Sequence, residues 1–413
     1  MPHKLFVGQN ISTVKLHNLQ TLLKVLLRHE YISRVELARM TGLSNTTITN
    51  LVTELLEQGV VAAEGTEQLR QRTGAGRPRT ALRLVPEARY AVGVHIGVGL
   101  IRVAITDLRA NVLSVESFTH PLDNSAADVL AHIVDNVRRQ IKRHGLPPAK
   151  IIGVGVGASG LVDPETGVNV MAPNLGWNNL PIQQILTTEL NLPVVVDNNV
   201  RAMALGESLF GLAQNVKVMA FVYARQGVGA GFVVDGQLFR GKAAGAGEIG
   251  HTTITLEGGR LCRCGNRGCL ETLVSETAII AEAARLGPHH SGLPKLSLDQ
   301  VFATARGGDL AMQAMLKERA RYMGIALANL VNILNPELIL LGGIFYQGRD
   351  LLLPTVEKTI QQRSFGNLGQ QVNVQPTGFG QQAGVIGAVA LALTNFFYQP
   401  DPSQNFTLTV GMN

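Results

Sequence analysis

The sequence predicts an α/β body, large enough to form two lobes, preceded by an N-terminal winged helix-turn-helix head. Three observations carry that reading. From Arg89 onward, Gly-rich and β-branched runs alternate with helical segments: YAVGVHIGVGLIRVAITDL, IIGVGVGASGLVD, VVVDNN, VMAFVYARQGVGAGFVVDG and ELILLGG. Upstream, SRVELARMTGLSNTTITNLVTELLEQG holds two helical periods separated at Gly42. Charge divides the chain at the same place: residues 1–90 carry 12 Lys and Arg against 7 Asp and Glu, which leaves 24 against 23 for the rest. A nearly neutral body with a basic head points to a head that meets a polyanion, and composition alone leaves a solvated charged surface open.

At 413 residues the chain has room for two or three domains of roughly 150 residues each. Apolar residues make up 46% and charged residues 16%, which excludes a disordered or coiled-coil chain. The longest apolar stretch, Ala383 to Phe397, is shorter than the ~20 residues a spanning helix needs. The N-terminus has no unbroken apolar core of a signal peptide, so a cytoplasmic protein is expected.

The first element is an amphipathic helix with Leu16, Leu19, Leu22, Leu23, Leu26 and Leu27 on one face. Ser33 then caps a short helix, Gly42 ends it, and Ser44 caps the next. The small Ala38 lets the two helices cross closely, and Leu43, Ile48, Leu51, Val52 and Leu55 give the second its buried face. Ser44, Asn45, Thr46, Thr49 and Asn50 are left for the outer face, with short polar side chains suited to base edges or phosphates in a major groove. Two alternating apolar runs follow, around a loop with Arg70, Arg72, Arg77 and Arg79, and read as a wing. Its GAGRPR core, with Arg77 and Arg79 flanking Pro78, is similar to arginine hooks that enter narrow minor grooves.

In the body, Gly155, Gly157 and Gly160 match a dinucleotide-binding fingerprint after the strand Ile151 to Val154. Asp163 and Pro164 open a turn where a helix is required, and no carboxylate lies between Gly167 and Thr188 to take a ribose, so the match is a decoy. The three cysteines do carry chemistry. Cys262, Cys264 and Cys269 lie within eight residues, with His251 eleven positions upstream of the first. That donor set suits a closed tetrahedral structural zinc site, one ion per chain. Unligated buried cysteines and an iron–sulfur cluster are the weaker readings, the second because His is an unusual cluster ligand.

Two stretches, GVGAGFVVDGQLFRGKAAGAGEIGH (Gly227 to His251) and CRCGNRGCLE (Cys262 to Glu271), make the body resemble the ROK family, named for repressors, open reading frames and kinases. The resemblance implies an actin-like, two-lobed sugar-kinase fold. A winged-helix head on such a body is the arrangement of the family's repressors of sugar genes. The division implied is a DNA-binding head over 1–85 and a sugar-binding body over 86–413. One lobe spans about 86–200 with the C-terminal helix near 383–398, the other about 201–382. By the same resemblance Asn174, Asn198, Asn199, Glu248, His251 and Glu271 bind a monosaccharide, whose hydroxyls each donate and accept. His251 would serve metal and sugar through its two ring nitrogens. Plainer roles stay open: a helix cap for Glu248, a turn for Asn198, and a core position for Trp177.

The family's kinases use an Asp as general base in a motif like NDANAAALGE, where this chain reads NNVRAMALGE with Asn199 in its place. An amide cannot accept the hydroxyl proton. Their phosphate motif resembling DIGGT aligns with His95, Ile96, Gly97, Val98 and Gly99. Both losses point to a former kinase that binds sugar without turning it over. The expectation is a non-enzymatic transcriptional repressor of sugar uptake or catabolism genes, bound to operator DNA as a homodimer or dimer of dimers and released by a monosaccharide. An ATP-dependent sugar kinase with an accessory head is the alternative, and a dinucleotide-dependent oxidoreductase fails on its fingerprint.

Overall fold

The computed structural model describes residues 11–65, 80–120, 125–286 and 296–400. The head is three helices, α1 (Ile11–Arg28), α2 (Arg34–Thr41) and α3 (Asn45–Glu57), followed by an antiparallel hairpin of β1 (Val61–Glu64) and β2 (Ala81–Leu84). Local chemistry sets the boundaries. The Ser33 side chain accepts from the Glu36 N–H while the Glu36 carboxylate accepts from the Ser33 N–H, a reciprocal capping box that opens α2. Gly42 closes α2 in the left-handed region at φ 69°, and Ser44 opens α3 by accepting from the Thr47 N–H. Leu19, Leu22, Leu23 and Leu26 of α1 are buried against Leu37, Ile48, Leu51, Val52 and Leu55. The wing's arginines Arg70, Arg72, Arg77 and Arg79 lie outside the described residues.

The body holds two five-stranded sheets of the same topology. In the first, β3 (Tyr90–Gly97), β4 (Leu100–Asp107) and β5 (Val112–Thr119) form an antiparallel meander. Strands β6 (Ile151–Ala158) and β10 (Val194–Asn198) add in parallel beside β3, giving the order β10-β6-β3-β4-β5. In the second, β11 (Val218–Ala224), β12 (Val228–Val234) and β13 (Gln237–Phe239) form the meander. Strands β14 (Leu338–Gly343) and β15 (Asn373–Pro376) add in parallel beside β11, giving β13-β12-β11-β14-β15. Between β6 and β10 lies a small antiparallel sheet of β7 (Leu161–Asp163), β8 (Val168–Ala172) and β9 (Trp177–Leu180). The helices used below are α4 (Ala126–Arg143), α5 (Ile182–Leu190), α6 (Asn199–Phe210), α7 (Glu271–Val274), α8 (Glu276–Ala283), α9 (Leu298–Arg306), α10 (Leu310–Leu334), α11 (Arg349–Arg363) and α12 (Ala383–Leu393).

Helices α10 and α11 cover the second sheet, and α4 and α5 the first. Helix α12 is buried at every position and packs on β3, β6 and α6. Among the described residues no helix is long and apolar enough to cross a membrane. The decoy glycines explain how α12 fits. A Cβ on Gly155 would overlap the Ala388 carbonyl oxygen and sit 2.8 Å from the Ala392 nitrogen, so the strand needs glycine where the helix backbone lies on it. After β6 the chain turns into β7 instead of a helix, which removes the dinucleotide reading structurally.

Head and body share one apolar core. Phe397 and Tyr398, just past α12, lie in the same buried cluster as Leu19, Leu22, Leu26 and Leu84. Polar ties reinforce it: Tyr398 donates to the Leu108 carbonyl, Arg109 to those of Leu26 and His29, Arg28 to that of Gln214, and Gln20 to that of Pro400.

Candidate functional site

On the head, the burial pattern of α3 separates two faces. Ile48, Leu51, Val52 and Leu55 point inward, whereas Ser44, Asn45, Thr46, Thr49 and Asn50 are exposed. Ser44 is shared with the fold, since its oxygen caps the helix, and the Thr49 hydroxyl donates to the Asn45 carbonyl. That leaves the side-chain amides of Asn45 and Asn50, each with a donor and an acceptor of the kind that suits a base edge, exposed on that face.

In the body, His251 and the three cysteines converge, with all four ligand atoms within 4.8 Å of one another. The Cys264 and Cys269 sulfurs are 3.7 Å apart, and Cys262 Sγ lies 3.6 Å from His251 Nδ1. Metal–sulfur and metal–nitrogen bonds of about 2.3 and 2.0–2.1 Å in a tetrahedron give edges of about 3.8 and 3.6 Å, so these two spacings match those of a zinc-sized tetrahedron. Short bonds curl the loop: Cys262 donates its N–H to the Asn266 carbonyl and Gly265 to that of Cys262. Burial pushes the Cys269 thiol up, aided by its neighbouring thiols, whereas a backbone hydrogen bond at Asn266 pulls the Cys264 thiol down. Thiols this close resist joint ionisation, and a dication is what would hold all three as thiolates.

The cysteine loop leads straight into Glu271, the first residue of α7. Leu270 donates its N–H to the Thr252 carbonyl, which ties the segment after His251 to the residue before Glu271. With Nδ1 facing Cys262, His251 keeps Nε2 for another partner. Glu271 accepts from the Val228 N–H at 3.1 Å, and a Cβ on Gly227 would sit 2.9 Å from Glu271 Oε2 and 3.7 Å from Asn174 Nδ2. The turn between β8 and β9, the turn between β11 and β12 and the start of α7 therefore meet at these three residues. Glu248 is exposed and makes no helix-capping bond. Crowding by protein raises its carboxyl, Glu271 adds to the rise, and His251 and Arg201 oppose it. Asn199 opens α6 and donates to the Ser159 hydroxyl at 3.1 Å.

Asn198 is largely engaged by the fold. Its oxygen accepts from the Val200 and Arg201 N–H groups and its amide donates to the Gly160 carbonyl, so the turn-holding role is realised and one amide hydrogen is left for a ligand. Trp177 is a core residue at 6% exposure.

Residues 91–395 match the ROK family, and residues 17–62 match a winged helix-turn-helix DNA-binding family. The chain belongs to the ROK family. It is 30% identical over 400 residues to a relative named xylose repressor from Caldicellulosiruptor bescii, covering 95% of this chain and 99% of the relative. A solved ROK family transcriptional regulator, described as a homologue of the Escherichia coli Mlc protein, superposes with a TM-score of 0.80 at 27% identity, covering 93% of this chain and 98% of that one. A ROK glucokinase from Streptomyces griseus, solved with glucose and AMPPNP, gives 0.64 at 27% identity and matches 73% of this chain and 98% of its own. The kinase covers the smaller share, whereas the regulators run over nearly the whole chain.

Sequence reasoning missed how this ROK body is braced at the end of β10. Asp197 is 1% exposed and accepts from Arg201 Nε at 2.7 Å and from Arg240 at 3.1 and 3.0 Å. The equally buried Arg201 also donates to the carbonyls of Val162 and Ala244. These bonds join β10, the small sheet and the segment after β13. The four-residue spacing from Asp197 to Arg201 was the available signal.

Proposed function

We propose that the chain is a DNA-binding transcriptional repressor of sugar uptake or catabolism genes, released by a monosaccharide bound in a kinase-like body that performs no catalysis. One observation carries it: a winged helix-turn-helix with an exposed polar recognition face is fused to a ROK body whose general-base position is Asn199. An amide cannot take the proton of a sugar hydroxyl, so binding is uncoupled from phosphoryl transfer. The relative named xylose repressor supports the reading.

In this assignment Asn174, Asn199, Glu248, His251 and Glu271 contact the sugar, with Asn198 adding at most one hydrogen bond. His251, Cys262, Cys264 and Cys269 hold one structural zinc. Ser44, Asn45, Thr46, Thr49, Asn50 and the wing residues Arg77 and Arg79 contact duplex DNA. The head is taken as residues 1–85 and the body as 86–413, a division supported by the end of β2 at Leu84 and the turn Pro86–Ala88 that leads into β3. Its lobes run over about 86–200 with the helix near 383–398, and about 201–382. The protein works in the cytoplasm as a homodimer or dimer of dimers on an inverted repeat, two-fold symmetry presenting two heads to two half-sites.

Gel shifts on a genomic library test the DNA arm. A specific operator is expected, and Asn45→Ala, which removes one base-edge reader, is expected to weaken it by ~1–3 kcal/mol. Failure to recover any specific site, or full affinity in the variant, would refute the assignment. A thermal-shift screen with xylose, glucose and N-acetylglucosamine tests the sugar arm, because a ligand of the folded state raises its stability.

A further inference from the structure

Helix α12 packs on the first sheet, α6 packs on the second, and the two pack on each other. That pair is locked. A Cβ on Gly387 of α12 would sit 2.5 Å from the Met203 nitrogen of α6, and one on Gly206 of α6 would sit 3.1 Å from the Gly387 Cα. With the two backbones in direct contact, α6 and α12 behave as one body. The second sheet joins that body through two crossings, residues 211–217 from α6 into β11 and residues 377–382 from β15 into α12. Any rotation of the second sheet against the pair is taken up there.

Glu207, in the last turn of α6 and 0% exposed, grips both crossings. One of its oxygens accepts from the Leu212 N–H at 3.0 Å, in the first crossing. The other accepts from the Gly378 N–H at 2.8 Å and from the Thr377 hydroxyl, in the second. Thr377 is itself buried and donates its N–H to the Leu341 carbonyl of β14. The fit is close, since a Cβ on Gly211 would overlap Glu207 Oε2.

Local physics disfavours a carboxylate at this place. It meets the negative end of the α6 dipole, and among the described residues no cation pairs with it. A buried charge held only by N–H and O–H donors is costly to separate from any one of them, so the three bonds hold together. The head touches the same joint: Arg28, at the end of α1, donates to the Gln214 carbonyl at 2.9 Å, inside the first crossing.

We propose that Glu207 is a positioning residue for the sugar response, a pin that fixes both crossings to one point. The second sheet then turns about that point, and the 211–217 segment carries the head's Arg28 with it. The pin is a property of the body alone, and its consequence for DNA rests on the proposed function.

The test has two arms on the full-length protein. Hydrogen–deuterium exchange without sugar or DNA reads the pin. Glu207→Gln sets an NH2 group against one of the donors and is expected to speed exchange of both the Leu212 and Gly378 amides by about tenfold. Thr377→Val, a milder change that keeps Glu207, is expected to speed Gly378 alone. Titration of the operator with and without saturating sugar, using whichever of xylose, glucose and N-acetylglucosamine raises the melting temperature, reads the coupling. Glu207→Gln is expected to keep the sugar-free operator affinity and the operator-free sugar affinity while the coupling falls below about threefold, from the 5–150-fold typical of such switches. Thr377→Val is expected to lose part of it, which carries the test if Glu207→Gln does not fold. A side chain that only held the fold would lower both affinities together and produce no such split. Unchanged exchange at either amide in Glu207→Gln, or parental coupling in both variants, overturns the pin in a parent that responds to sugar. A parent without any sugar response overturns the proposed function and the coupling role with it, and the exchange arm then decides the pin by itself.

Discussion

At Asn199 an amide donates to Ser159, and in the proposed function this one side-chain group, in place of the kinases' carboxylate, separates a sensor from an enzyme. That residue was legible in the sequence because it falls inside a recognisable motif, and so was the cluster of His251 with three cysteines that lie within eight residues. The Arg240 arm of the Asp197 brace was not, since Arg240 reaches Asp197 from 43 positions away and only folding brings them together. Cys264→Ala is expected to lose the metal, read by elemental analysis of protein purified without added zinc, and to weaken sugar binding by loosening the loop that carries Glu271. Full metal occupancy in that variant would remove the ligand assignment. His95 gives a pH signature. Its folded value, about 3, lies below the unfolded ~6.5, so only the unfolded chain takes the proton between them. Its contribution is fully present above pH 6.5 and falls by up to ~1.4 kcal/mol per pH unit toward pH 3. His95→Gln should therefore show a smaller drop in melting temperature from pH 7 to pH 5 than the parent, and an equal drop would contradict the assignment.

Among the elements, the head was readable in detail because its punctuation is local. Ser33, Gly42 and Ser44 each act within four residues of their partners. The body's strands were readable as strands, but the matching order of the two sheets was not, since β3 pairs with β6 and β11 with β14 across long intervals that leave no local period. The glycines of β6 were read correctly as a decoy, and their role appears only with α12 in place. Gly155→Ala should push α12 off β3 and β6 and cost at the upper end of ~1–3 kcal/mol, visible as a lowered melting temperature. An unchanged melting temperature would mean that the close approach is not needed.

For the molecule as a whole, the shared core decides how a sugar could move a DNA reader. Asn198 and Asn199 begin α6, α6 packs along α12, and α12 continues into Phe397 and Tyr398, which lie in the same core as α1. Arg109 and Arg28 fix the head to the body at two further places. The shared core and Arg109 tie the head to one lobe and the Arg28–Gln214 bond ties it to the other, so lobe closure must shift the head, and in a dimer two shifted heads lose the spacing of their half-sites. Linkage then requires sugar to weaken operator binding by the factor with which operator weakens sugar binding, typically 5–150-fold for a coupling of ~1–3 kcal/mol. Glu248→Ala should keep the sugar-free operator affinity and abolish the response. The most direct test of the account is titration of the operator with and without saturating sugar. Weaker binding by the parent protein in the presence of sugar is expected; tighter binding would keep the coupling and reverse its sign, and equal affinities would contradict the switch.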